Sequence, residues 1–372
     1  MIETDIGVRV RDLRDGAGLS QDALAVVLGL KDRQSISDIE RGKRRLTADE
    51  LVTLVEHFNV SFDQLTNPFL LSGKHSFSWR QRNVALADLD RFEARAGEWV
   101  GAYRELNRLN DVRLKNLLPR LGLTYDSRFE DAAFAGEAVA DELGLGERPA
   151  FSLIERLERD LGILVLMVDT IEGVSGAACR LQFLNAILVN RHERLSRRHS
   201  DIGHEVFHIL TWDAMKPDRV ESNDEAWERP LTHSQKRNLR IENLADHFSS
   251  GLLMPSRELD RLGYPHGDVI VWLTAAAQEL GVSARNLKWR LVNSGRQRDL
   301  ADIPNAALDE AARRDDAEDL PALFSRNFMM TLLRAIEVGN LSIGRATKLT
   351  DLSRTEFGEL CDAYALERPL EL

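Results

Sequence analysis

Residues 204–208 read His204-Glu205-Val206-Phe207-His208. Side chains four residues apart on a helix project from the same face, one turn above the other. His204 and His208 can therefore turn their imidazoles toward one ion, each ring nitrogen about 2.0–2.1 Å from a Zn²⁺. Glu205 is offset around the helix, placed to miss the metal yet reach a water bound to it, as a general base must. The plain alternative is a polar seam along one helix. The chain has only nine histidines, so this spacing around a glutamate is an uncommon coincidence.

A catalytic zinc needs a third protein ligand and a fourth position open to water. The stretch 240–255 offers it. Leu244, Phe248 and Leu252 recur at helical spacing, and Pro255 ends the run. Glu242 and Asp246 stand four apart on one face of this expected helix. Glu242 is read as the third ligand. Asp246 is read as the carboxylate that accepts the remaining N–H of a ligand histidine, fixing its tautomer and raising its basicity. Either acid alone would read as a solvated surface residue. Two imidazoles and one carboxylate suit zinc, although Mn²⁺ and Fe²⁺ accept the same donors.

Taken together these residues resemble the ImmA/IrrE-type metallopeptidases. The landmarks are the strand-like 186–190 ending in Asn190, the arginines Arg197 and Arg198, the 204–208 motif, then Glu242, Ala245, Asp246 and Phe248, and Leu252-Leu253-Met254-Pro255. The resemblance covers roughly residues 130 to 295. It implies a gluzincin-like zinc endopeptidase acting on a protein substrate, typically a repressor cleaved in a stress response. Two departures stand out. His199 takes the place of a usual Phe, and Phe207 replaces a commonly small residue and is expected to crowd the site or shape its preference.

Apolar runs at 161–168, 174–181 and 186–190 read as about three strands, whose edge an extended peptide could join or the fold could cover. A donor for the oxyanion is not identified. His233, Tyr264 and His266 lie downstream, each as easily a surface residue.

A second signal lies at the N-terminus. Residues 6–66 read as five short helices. Ser20 is placed to cap the second, Ile36 and Ile39 face inward from the third, and Gly42 ends it. The pattern Leu19-Ser20-Gln21 followed by Ile39-Glu40-Arg41-Gly42-Lys43 resembles the Xre/Cro-type helix-turn-helix domain. By that resemblance Arg33, Gln34, Ser37 and Asp38 meet base edges in the major groove, while Gln21, Arg41, Lys43 and Arg44 meet phosphates. Arg14 and Glu40 are expected to brace the first and third helices as an ion pair.

The whole chain of 372 residues carries a formal net charge of −11, which disfavours general adhesion to nucleic acid. Between Lys31 and Arg45, however, six basic residues meet three acidic ones. Two cysteines, Cys179 and Cys361, suggest neither a disulfide framework nor a thiolate metal site. No leader or membrane span is read from the sequence, so a cytoplasmic protein is expected.

The expected fold is mainly α with a small β-sheet (α+β). Residues 1–70 form the helix-turn-helix domain, 71–129 a helical connector, 130–295 the peptidase domain, and 296–372 a C-terminal helical region containing an exposed linker at 296–319. Two further helical hairpins, at 269–292 and 339–349, echo the helix-turn-helix pattern but read better as packing elements. The expected function is a DNA-binding regulator, a homodimer on a double-stranded operator, whose zinc peptidase cleaves itself or a partner repressor. The alternative is a ligand- or partner-responsive regulator or antitoxin whose peptidase-like domain does not cut.

Overall fold

The computed structural model describes residues 5–67, 69–71, 77–181, 183–220, 232–263, 265, 267–313 and 320–370. Chain contacts separate two compact units, Met1–Lys74 with Glu93–Leu109, and His75–Phe92 with Asn110–Leu372. Tyr264 and His266 lie outside the described residues.

The first unit is built from α1 (Asp5–Gly16), α2 (Gln21–Val27), α3 (Arg33–Glu40), α4 (Ala48–Phe58) and α5 (Phe62–Thr66). Such short helices need their end groups satisfied by side chains. Ser20 accepts from the Ala23 amide at 3.1 Å and Asp32 from the Ser35 amide at 3.0 Å. Thr47 with Glu50, and Ser61 with Gln64, form reciprocal capping boxes. Val10, Leu24, Ile36, Ile39, Leu54 and Leu65 are sealed inside. Each such side chain contributes roughly 1.5–3 kcal/mol on burial. Gly42 sits at φ 67, the left-handed conformation that turns the chain out of α3.

Residues 71–129 are not wholly helical. They supply β1 (Phe77–Gln81) and α6 (Leu86–Leu109), whose residues from Glu93 onward belong to the first unit. In β1, Phe77 and Trp79 alternate onto one buried face, their rings 5.2 Å apart, and Trp79 lies 5.4 Å from Phe92.

The second unit continues with α7 (Phe129–Glu142), α8 (Pro149–Arg156), β2 (Ile163–Val168), β3 (Val174–Arg180), β4 (Asn185–Asn190), α9 (Leu195–Thr211) and α10 (His233–Leu253). Next come α11 (Ser256–Leu262), α12 (Val269–Leu280), α13 (Ala284–Asn293), α14 (Asn305–Arg313), α15 (Arg326–Glu337), α16 (Ile343–Thr350) and α17 (Arg354–Ala363). The architecture is thus α+β as expected, but with a four-stranded rather than three-stranded sheet. Its order is β1-β3-β4-β2, with β2 and β4 parallel and β3 antiparallel to both neighbours.

Both sheet edges are covered. Trp79 donates its amide to the Arg219 carbonyl at 2.8 Å, and Met167 exchanges backbone bonds with Phe324. The open edge considered from sequence is therefore filled by β1 of the same chain. Of the expected exposed linker 296–319, residues 296–313 are described and are packed rather than exposed throughout, since Leu300 and Leu308 are buried in the main core and α14 lies among them.

Helices α7 and α10 approach so closely that side chains are excluded at the crossing. A β-carbon on Gly136 would lie 2.2 Å from the Phe248 carbonyl, and one on Gly251 2.0 Å from that of Ala133. This packing, with α9 laid on β3 and β4, brings α9 and α10 side by side. The hairpin of α12 and α13 buries Leu273, Leu280, Leu287 and Leu291 in the same core. It is a packing element, and its second helix borders the site described next. Among the described residues no helix is long and apolar enough to cross a membrane.

Candidate metal centre and nucleic-acid interface

Helix α9 is buried almost throughout its length, with His204, Glu205 and His208 at 1 %, 0 % and 0 % exposure. Buried polar groups need partners. His204 Nε2 lies 3.0 Å from His208 Nε2 and 3.1 Å from Glu242 Oε2 of α10. His208 Nε2 lies 3.6 Å from the same Glu242 oxygen. Donor atoms about 2.0–2.1 Å from a tetrahedral centre are about 3.3 Å from one another, so this triangle has the size that zinc requires. Two imidazole nitrogens aimed at each other across 3.0 Å also suit a shared cation better than a mutual hydrogen bond.

Asp246, one turn beyond Glu242, meets His204 Nδ1 at 2.8 Å. A proton held on Nδ1 by that carboxylate leaves the Nε2 lone pair facing Glu242 and His208. Desolvation works against the charged form of Asp246, but the His204 hydrogen bond and the nearby Arg80 charge hold its carboxyl below the usual range. Glu242 is likewise held below its ordinary value despite desolvation, by His208 and His204. Burial pushes His208 downward, keeping its imidazole neutral and ligand-ready.

Glu205 differs. Both its carboxylate oxygens are buried with no hydrogen-bond partner among the described residues. Desolvation first, then neighbouring Asp201 and Glu242, outweigh His204 and Arg80 and raise its pKa to about 8. It lies over Gly176 of β3, where an added β-carbon would come within 3.9 Å of its Oε1. A buried, unpaired carboxyl beside a ligand cluster is the arrangement a proton-transfer group requires.

Arg80, in β1 directly across from Gly176, was not singled out from sequence. Its guanidinium lies 3.3 Å from Asp201 Oδ1 and 3.7 Å from Asp246 Oδ1. The signal was hidden because β1 itself was not anticipated. A cleft of about 450 Å³ opens over the cluster, with His204, Glu242 and Asp246 in its wall. His233 is exposed at the start of α10 and does not line this cleft. Phe207 does not shape it either. Its ring is buried 5.6 Å from Phe248, in the core behind the helix. His199 is also structural, its Nδ1 lying 2.8 Å from the Gly281 carbonyl.

In the first unit Arg14 Nε meets Glu40 Oε1 at 2.6 Å, the expected brace between α1 and α3. Of the expected DNA-contacting residues, Arg33, Gln34, Arg41 and Lys43 are exposed. The structure places the other four differently. Ser37 is buried at 9 % exposure, because α3 packs against both α1 and α2 and this widens its inward face. Asp38, half-buried, accepts from Gln34 Nε2 at 3.0 Å. Gln21 donates to Glu40 Oε2 at 2.8 Å, joining the Arg14 brace. Arg44, partly exposed, makes a paired contact with Glu50 at 2.7 and 3.1 Å. Lys31 and Arg45, at the two ends of this basic stretch, are also exposed.

A family model described as Helix-turn-helix matches residues 10–65. Residues 10–65 are accordingly a helix-turn-helix of the Xre type, a DNA-binding fold. A search of curated proteins found no match. Among solved structures, Bacillus thuringiensis PlcR in complex with the peptide PapR7 and DNA is similar at 11 % identity over 97 % of both chains, with a TM-score of 0.17. Apo ComR from S. thermophilus shows 10 % identity over 97 % of this chain and 94 % of its own, with the same TM-score. Apo ComR, the competence regulator of Streptococcus vestibularis, shows 11 % identity over 84 % of this chain and 97 % of its own, at 0.16. Likenesses of that order do not bear on the fold or function of the second unit.

Proposed function

We propose that this chain is a DNA-binding transcriptional regulator whose second unit is a zinc metallopeptidase, cleaving a repressor-type protein or itself, in a stress response. One observation carries the enzymatic part: His204, His208 and Glu242 offer three ligand atoms within 4.8 Å of one another, the only such group among the described residues. These residues would hold a Zn²⁺, which when bound supplies a water of lowered pKa and a Lewis acid for the scissile carbonyl.

The chain's own groups divide the remaining work. Asp246 keeps the proton of His204 on Nδ1, so that Nε2 remains a donor to the cluster. Glu205 takes up a proton at its carboxylate and returns it to the leaving amine, and its burial beside the donor cluster, which raises its pKa, favours holding that proton between the two steps.

The test is the Glu205→Gln protein, incubated with zinc beside wild type and examined for fragments of itself or of a co-encoded repressor. The proposal expects the variant to bind zinc and operator DNA normally while fragments disappear. Cleavage at the wild-type rate by the variant would remove Glu205 from the chemistry. Metal and DNA binding with no cleavage by either protein would leave a regulator that responds by binding alone.

A further inference from the structure

We propose that Arg80 is a positioning residue of the metal centre: its guanidinium spans Asp201 and Asp246 and so holds Asp246 where it fixes the His204 imidazole. This deepens the metallopeptidase reading and rests on its metal centre.

Exposure creates the need for such an anchor. Asp246 meets His204 Nδ1 at 2.8 Å, yet its side chain is 57 % exposed in the cleft wall, whereas His204 is buried. An exposed carboxylate tied at one point turns readily, and a ligand histidine is oriented only as well as the group that accepts its proton. Arg80 supplies a second tie. Its Nη2 lies 3.7 Å from Asp246 Oδ1, the same oxygen that meets His204. Its Nη1 lies 3.3 Å from Oδ1 of Asp201, which is fully buried in α9 one turn before Glu205.

Arg80 is itself well placed to hold still. Pairing of β1 with β3 sets it directly opposite Gly176. Opposed residues project from the same face of a sheet, and a glycine there leaves the long Arg80 stem a clear path to α9 and α10. The guanidinium is only 18 % exposed. Its terminal nitrogens, fixed in one plane, reach carboxylates on two different helices, a fork that a lysine ammonium on its flexible stem does not offer. Order thus passes from the sheet and buried Asp201 through Arg80 to Asp246 and on to His204. Because β1 precedes residue 130, the centre draws on a strand outside the 130–295 stretch that carries the ligands.

Charge and position predict opposite signs for the loss of Arg80. Deleting a positive charge beside a bound dication tightens the ion by Coulomb's law alone. Deleting the group that holds Asp246 in place loosens it.

The test compares zinc affinity, by competition with a chromophoric chelator, in full-length wild type, Arg80→Gln, Asp246→Ala and the double variant. Arg80→Gln should bind zinc about tenfold more weakly than wild type. In the Asp246→Ala background the same change should cause no further loss, because the path through Asp246 is already cut. The visible absorption of bound Co²⁺, which follows ligand geometry, should change in Arg80→Gln as it does in Asp246→Ala. Arg80→Lys keeps a donor without the fork and should fall between Arg80→Gln and wild type; it carries the same cycle if Arg80→Gln does not fold. Zinc bound by Arg80→Gln as tightly as by wild type or more tightly, a loss of equal size in the Asp246→Ala background, or an unchanged Co²⁺ spectrum would overturn the role. Wild-type protein that takes up no zinc would remove the centre and this role together, whereas zinc binding indifferent to Arg80 removes the role alone.

Discussion

At the scale of single residues, the proposed metal site depends on a carboxylate outside the three-donor group. Asp246 works through His204, and removing its oxygen leaves the Nδ1 proton without its acceptor and the ring freer to turn. Asp246→Ala should therefore weaken zinc binding about 10–100-fold, measured by competition with a chromophoric chelator. Unchanged affinity would mean the Asp246 contact is incidental. On the DNA side, side-chain commitments separate residues that sequence treats alike. Arg33 is exposed at the start of α3, whereas Arg44 is tied to Glu50. Arg33→Ala should cost about 1–3 kcal/mol on a selected operator and relax the preference at the base it reads. Arg44→Gln should leave that affinity nearly unchanged. The reverse ranking in an anisotropy titration would contradict the assignment.

At the scale of elements, the C-terminal helices are fastened to β2 partly by a half-buried acid. Glu158 accepts from the Val165 amide at 3.3 Å and from Asn327 of α15 at 2.9 Å. Desolvation raises its pKa from 4.5 to about 7. A carboxyl whose folded pKa is raised holds its proton longer in the native state than in the unfolded chain. Its contribution is full below about pH 4.5 and is lost as pH rises through 7. Denaturant unfolding should show stability falling over that window, and Glu158→Gln should flatten the fall; an unaltered slope would exclude Glu158 as its source. The elements themselves were unevenly legible in the sequence. Runs such as 161–168 and 186–190 declare themselves as strands because they are apolar and bounded by turns, and they fall on β2 (Ile163–Val168) and β4 (Asn185–Asn190). The strand Phe77–Gln81 does not, being five residues long and paired with β3, about a hundred residues further on. Arg80 was lost with it. The shared helix face of His204 and His208 was legible because i, i+4 spacing on a helix is local geometry. The inward turn of Ser37 and the commitment of Arg44 were not, since each depends on a neighbouring helix.

At the scale of the whole molecule, the chain combines a helix-turn-helix unit with a unit whose sheet and paired helices converge on one buried cluster of metal donors. Neither chemistry follows from its overall composition. A net charge of −11 hides a basic stretch at Lys31–Arg45 and an arginine-bordered cleft. The central claim is that His204, His208 and Glu242 hold a catalytic zinc. Elemental mass spectrometry of the purified protein and of Glu242→Ala tests it most directly. The account predicts about one zinc per chain in wild type and a strong loss in the variant. Wild-type protein that takes up no metal when zinc is supplied, or a Glu242→Ala variant that binds it equally well, would contradict the account.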